Sequence, residues 1–206
     1  MKWVFVTVGV IAVMLLAFYF LRDDSPEHVT NYPPEGTVIV AYGDSLVGGV
    51  GATEGNDFVS ILSRNIGVPI ENLGVSGNTS ELGLARIDEV ILRDPDIVLL
   101  LLGGNDYLQR IPRDVTLQNL GNIITKLHEA GSIVVLLGVR GGVLRDNFKK
   151  DFENLAREQN TAYVPNVLDG LIGNSEFMYD AIHPNDKGYA LIAAKIEPIL
   201  KKLISR

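Results

Sequence analysis

Beyond residue 36 the chain alternates short apolar runs with segments whose apolar positions recur every three or four residues. The runs are TVIVAY (37–42), PIENLGV (69–75), DIVLLLL (96–102), SIVVLLGV (132–139) and AYVPN (162–166). Short β-branched runs without polar alternation predict strands buried on both faces. PIENLGV is the weakest of them, because Glu71 and Asn72 interrupt it. Between the runs, Phe58, Ile61, Leu62 and Ile66 lie at helical spacing. So do Leu82, Ala85, Ile87 and Ile91, then Leu117, Leu120, Ile124 and Leu127, then Phe148, Phe152, Leu155 and Ala156. A terminal helix carries Tyr189, Ile192, Ala193, Ile196, Leu200 and Leu203, and Pro198 is expected to kink it. Asn78 with Glu81 three residues later reads as a capping box, and Gly131 as a helix stop. Five strands alternating with helices predict an α/β fold with a five-stranded parallel sheet covered on both faces. Ligands of such sheets bind beyond the carboxyl ends of the strands.

The first 36 residues break this pattern. From Trp3 to Leu21 run 19 residues without a charge. As a helix they would reach about 28 Å, close to the ~30 Å hydrocarbon core of a bilayer. Lys2 precedes the run, Arg22 follows it, and Trp3 and Tyr19 lie near its ends. The run is longer than a signal-peptide core and no A-x-A site follows it. Residues 1–22 are therefore expected to be one uncleaved transmembrane anchor, with a cleaved signal as the alternative. The polar, proline-bearing stretch 23–36, which holds His28, is expected to be a solvated linker, and 37–206 the functional domain. The amino-terminal Lys2 favours a cytoplasmic start, which puts the domain outside the cytoplasm.

Composition narrows the function. The length suits one domain. With 25 acidic against 18 basic residues there is no basic footprint for nucleic acid. The absence of cysteine excludes disulfides, a thiol nucleophile and thiolate metal sites.

The loop after the first strand, AYGDSLVGGVG (41–51), carries four glycines. It is not a P-loop, because Gly49 stands where the lysine belongs. It is not a dinucleotide fingerprint either, because Glu54 takes the third glycine position and would repel pyrophosphate. Ser45 is the other chemical group there, and a serine needs a base. Of the three histidines, His28 lies in the expected linker and His128 near a helix end, where a solvated or capping role is expected. His183 follows Asp180 by three residues, and a carboxylate at that spacing can hold the ring's Nδ1 proton. Two further strand ends offer groups that could donate to an oxyanion, the Gly77 backbone N–H and the Asn105 side chain, although each glycine-polar cluster alone also reads as a turn. Asp44, Asp106 and Asp186 read as turn or capping residues.

In this order the chain resembles the SGNH/GDSL hydrolase family. Gly43-Asp44-Ser45-Leu46, Gly74-Val75-Ser76-Gly77-Asn78-Thr79, Gly103-Gly104-Asn105-Asp106 and Asp180-Ala181-Ile182-His183 match its four blocks. SGNTSELGLARI and LLGGND look most like the small thioesterase I / lysophospholipase L1 / arylesterase branch. The resemblance implies a flavodoxin-like three-layer α/β/α fold, no metal and no cofactor. It implies Ser45 as nucleophile, His183 as base and then acid, and Asp180 as its orienting partner. The N–H of Ser45, Gly77 and Asn105 would form the oxyanion hole. The expected activity is hydrolysis of carboxylic esters, with thioesters or lysophospholipids as further substrates, through an acyl-serine. An O-acetylesterase of envelope carbohydrate and a non-catalytic binding module on the same fold are the alternatives. The strand-four loop, Val139 to Leu144, departs from the branch and leaves acyl preference open. The anchor is expected to hold the site near the bilayer face.

Overall fold

The computed structural model describes residues 26–139 and 148–205. The expected span at 3–21 and all of the strand-four loop after Val139 lie outside the described residues. Among these, no helix is long and apolar enough to cross a membrane.

Five parallel strands form one sheet in the order β2-β1-β3-β4-β5. They are β1 (Ile39–Gly43), β2 (Ile70–Gly74), β3 (Ile97–Leu101), β4 (Ile133–Leu137) and β5 (Ala162–Val164). In register, Ile39 pairs with both Ile70 and Ile97, and Ile97 with Ile133. Every residue of β1, β3 and β4 is buried. That is why those runs read as continuous apolar sequence. β2 is an edge strand with Glu71 and Asn72 exposed, which accounts for its weak signal.

The helices are α1 (Phe58–Ile66), α2 (Ser80–Ala85), α3 (Ile87–Ile91), α4 (Gly104–Leu108), α5 (Arg113–Glu129), α6 (Phe148–Glu158) and α7 (Asp186–Ile204). α1 packs on α7, whereas α2, α3 and α6 pack on α5, so two layers flank the sheet. Phe58 stacks on Tyr189 with ring centroids 6.4 Å apart, joining α1 to α7. Fully burying such a side chain is worth about 1.5–3 kcal/mol.

Two local expectations need correction. The cap of α2 is Thr79, whose hydroxyl accepts from Leu82 N, and not Asn78. Leu82 and Ala85 face solvent, because the segment is two short helices meeting at Arg86. Gly83, Ile87 and Val90 form its inward face. Helix α7 runs on through Pro198. Pro198 and Ala194 are both exposed, so water can satisfy the carbonyl that proline leaves unpaired.

Much of the expected linker is docked on the domain. Val29 is buried, and Thr30 N–H donates to Asn160 O at 2.9 Å. Asn31 Nδ2 donates to His128 O at 2.9 Å and to Ser132 O at 3.0 Å. The Asp96 carboxylate accepts from Gly36 N at 2.6 Å and Val38 N at 2.7 Å. His128, expected to be solvated or capping near a helix end, is half-buried in the last turn of α5, and burial lowers its pKa. Asp96, Ser132 and Asn160 immediately precede β3, β4 and β5 or lie just before them, so this segment is fastened at the amino ends of the strands.

Asp96→Ala should cost about 1–2 kcal/mol in urea unfolding, since two charge-assisted bonds at a partly exposed site are lost. Amide exchange at Gly36 and Val38 should accelerate while the β3 amides keep their protection. Unchanged exchange at both positions would contradict this clamp.

Candidate active site

The parallel sheet delivers the loops after β1, β3 and β5 to one rim, and the segment before α7 closes over it. There a cleft of about 330 Å³ is lined by Ser45, Asn105 and His183 together with Leu46, Tyr107, Leu108, Leu168, Ile172 and Ile182. Its wall is mostly apolar.

Ser45 Oγ lies 3.0 Å from His183 Nε2, and His183 Nδ1 lies 2.8 Å from Asp180 Oδ2. The other oxygen of Asp180 accepts from Ile182 N at 2.8 Å and His183 N at 2.7 Å. The hydrogen bond from the His183 ring, helped by those amides, lowers the Asp180 pKa to about 2. Asp180 is therefore ionised at neutral pH and an acceptor only. The Nδ1 proton must face it, which leaves the Nε2 lone pair directed at the serine hydroxyl.

The histidine segment is laced to the serine loop. Thr53 N and Thr53 Oγ1 both donate to the Asp186 carboxylate at 2.7 Å. Tyr189 Oη donates to Val50 O at 2.8 Å. Gly51, at φ +94°, lets the two segments meet, because a Cβ there would lie 2.5 Å from Pro184 O and 2.8 Å from Tyr179 Cβ. Asp186 thus does more than begin a helix.

Asn105 projects from the start of α4, after Gly103 turns the chain at φ +109°. Its Nδ2 donates to Asn78 O at 2.9 Å and lies 3.4 Å from Asp44 Oδ2. Asp44 is buried, and Oδ1 accepts from Leu46 N at 2.9 Å. Burial pushes its pKa up to about 6, against the opposing pull of the Leu46 amide and His183. Asp106 is buried and accepts from Ser80 N at 2.8 Å, from the Ser80 hydroxyl, and from Thr116 Oγ1 at 3.2 Å. It ties α4 to α2 and α5.

Gly77 is not among the residues lining the cleft. It stands in the exposed turn after β2 at φ +81°. So the structure brings Ser45, His183, Asp180 and Asn105 together and leaves Gly77 beside them. Among the described residues no group of His, Asp and Glu could hold a metal ion.

Arg86 escaped the sequence reading. Its guanidinium donates to Asn78 Oδ1 at 2.7 Å, Leu73 O at 2.7 Å and Gly43 O at 3.0 Å, and it lies 4.3 Å from the centre of the Tyr42 ring. One side chain thereby holds the ends of β1 and β2 and the residue on which Asn105 rests. The available signal was the change of helical phase at residue 86, where a single period was read across two short helices.

A serine, histidine and aspartate in hydrogen-bonded series, at the carboxyl edge of a doubly covered parallel sheet, define a hydrolase-type site. The particular family follows from comparison. A model of the GDSL-like lipase/acylhydrolase family matches residues 41–191, and the chain belongs to that family. Esterase TesA of Pseudomonas aeruginosa is 29% identical over 178 residues, covering 81% of this chain and 89% of the relative. An arylesterase of Vibrio mimicus is 31% identical over 150 residues, covering 69% and 75% respectively. The crystal structure of TesA superposes with a TM-score of 0.75 at 28% identity, covering 82% of this chain and all of that one.

Two outcomes are expected. Between pH 4 and 6 the folded state keeps an Asp44 proton that the unfolded chain has lost, so this group's contribution falls as pH rises through that window. Asp44→Asn cannot ionise, so its stability relative to the parent should climb from pH 4 to 6 by on the order of 2 kcal/mol. A pH-independent difference in chemical denaturation would refute the buried-acid assignment. Arg86→Met should lower kcat on a p-nitrophenyl ester by roughly 10–100-fold, as for a misplaced oxyanion donor, with KM little changed. A change confined to KM would place Arg86 outside the catalytic geometry.

Proposed function

We propose that the chain is a serine hydrolase of carboxylic esters. The observation that carries this reading is the unbroken series Asp180–His183–Ser45, opening on an apolar cleft. Family membership and the esterase relatives support it.

Ser45 Oγ attacks the acyl carbon while its proton passes to His183 Nε2. The oxyanion so formed is met by Asn105 Nδ2 and by the N–H groups of Ser45 and Gly77. Neither of these amides has an acceptor among the described residues. Collapse of the intermediate breaks the ester bond, and the imidazolium returns its proton to the departing alcohol or thiol oxygen or sulfur. Water, deprotonated by His183, then attacks the acyl-serine, releases the acid and restores Ser45. The cleft volume sits near the lower end of the ~300–1,000 Å³ of small-molecule sites, which fits a compact acyl or leaving group.

Residues 3–21 would span the membrane once, with the hydrolase body outside the cytoplasm, which their length and lack of charge support. The body would begin near Val29, ahead of the boundary expected at residue 37, because the intervening residues pack on it.

On p-nitrophenyl acetate, Ser45→Ala should reduce kcat by at least ~10³-fold. Asp180→Asn should be more harmful than Asp180→Ala. Its oxygen would stay with the amides of Ile182 and His183, turning the NH₂ group toward His183 Nδ1. That drives the ring proton to Nε2, where it cannot accept from Ser45. Full turnover in purified Ser45→Ala would sink the serine mechanism, and an Asn variant milder than Ala would remove the orienting role of Asp180.

A further inference from the structure

We infer that the cleft faces away from the membrane to which residues 3–21 attach the chain, so its esters come from the aqueous side and not from the anchoring leaflet. This rests on the anchor and hydrolase readings above.

The two ends of the sheet carry different things. Ser45, Asn105 and His183 sit beyond the carboxyl ends of the strands. The entering chain is fixed at the other end. Thr30, Asn31 and Gly36 bond to Asn160, to His128 and Ser132, and to Asp96, all ahead of β5, β4 and β3. Val29 is buried there, so the tether available after Leu21 is seven residues, 22–28. Fully extended, they reach roughly 25 Å. Pro26–His28 form a turn of 3₁₀ helix, which shortens that reach. A body of this size is roughly 40 Å across. To turn the cleft onto the bilayer, the tether would have to run from one pole around to the other, and it is too short. The domain can rock on its tether but cannot invert.

The consequence is a choice of substrate. A lysophospholipid lying in the anchoring leaflet would have to leave it to reach Ser45. A water-soluble ester, or an ester borne on a polymer facing the membrane, meets the cleft directly. Tyr107, Leu108, Ile172 and Ile182 are partly exposed at the cleft and would then meet that substrate.

The absence of cysteine allows a direct test in the full chain. Leu108→Cys at the cleft and Glu129→Cys at the end of α5, next to the entering segment, each receive one fluorophore. The proteins are placed in phosphatidylcholine vesicles carrying a lipid-bound acceptor dye. Energy transfer should be strong from position 129 and several-fold weaker from position 108. Inserting about twenty Gly/Ser residues between Leu21 and Arg22 should raise transfer from position 108 toward that from 129. Equal transfer from the two positions in the unlengthened chain, or stronger transfer from 108, overturns the inference. If the full chain does not float with the vesicles, the anchor reading fails and takes the inference with it. Turnover of p-nitrophenyl acetate by the unlabelled protein reports separately on the hydrolase reading.

Discussion

The site depends on one contact between residues 138 positions apart, Ser45 Oγ to His183 Nε2 at 3.0 Å. Neither loop could hold that distance alone. The serine loop is pinned by β1, an interior strand that pairs with both β2 and β3. The histidine segment is pinned by α7, whose Tyr189 is buried against Phe58 of α1. Between these two rigid elements, Asp186 bonds to Thr53 and Tyr189 to Val50, so the gap is closed from both sides. A displacement of the histidine by an ångström would lengthen a hydrogen bond past its useful range. The lacing therefore matters to the chemistry as much as the reacting groups do.

Behind this contact lies a second layer of polar atoms that has to be satisfied because it is dry. Gly43 ends β1 and Leu73 is the next-to-last residue of β2, and Arg86 donates to the carbonyls of both. Asn78 offers its side chain to Arg86 and its carbonyl to Asn105. Asp106 collects Ser80 and Thr116. Each buried carboxylate or guanidinium would be costly by itself and is tolerable only inside this mesh. Asp44 is the member with least compensation, and its raised pKa is the measure of that.

The sheet was legible in the sequence because burial on both faces leaves a continuous apolar run, as in Ile97–Leu101 and Ile133–Leu137. Ser45, Asn105, Asp180 and His183 were legible because each follows a predicted strand or precedes the last helix at a motif spacing. What stayed hidden depended on contacts between segments far apart in sequence. Asp186 looked like a helix opening because its partner Thr53 lies 133 residues away. Arg86 drew no notice because its backbone acceptors belong to two different strands. The segment 29–36 looked like a linker because prolines and polar residues say nothing of the Asp96 carboxylate waiting for its amides. In α2 and α3 the period was misread because a helix broken at Arg86 changes phase there, and a single continuous pattern cannot follow it.

The same lesson governs the orientation of the site. A reading along the chain placed the anchor and the cleft together, since only about two dozen residues separate Leu21 from Ser45. Proximity in sequence need not be proximity in space, because β1 lies between them. A strand has direction, and in a parallel sheet its amino end and its carboxyl end lie on opposite poles. The chain must arrive at the first pole before it can present a serine at the second. If residues 3–21 anchor the chain as proposed, a short tether before β1 would fix where the cleft points. That constraint needs no interaction beyond the ones holding Thr30, Asn31 and Gly36 in place.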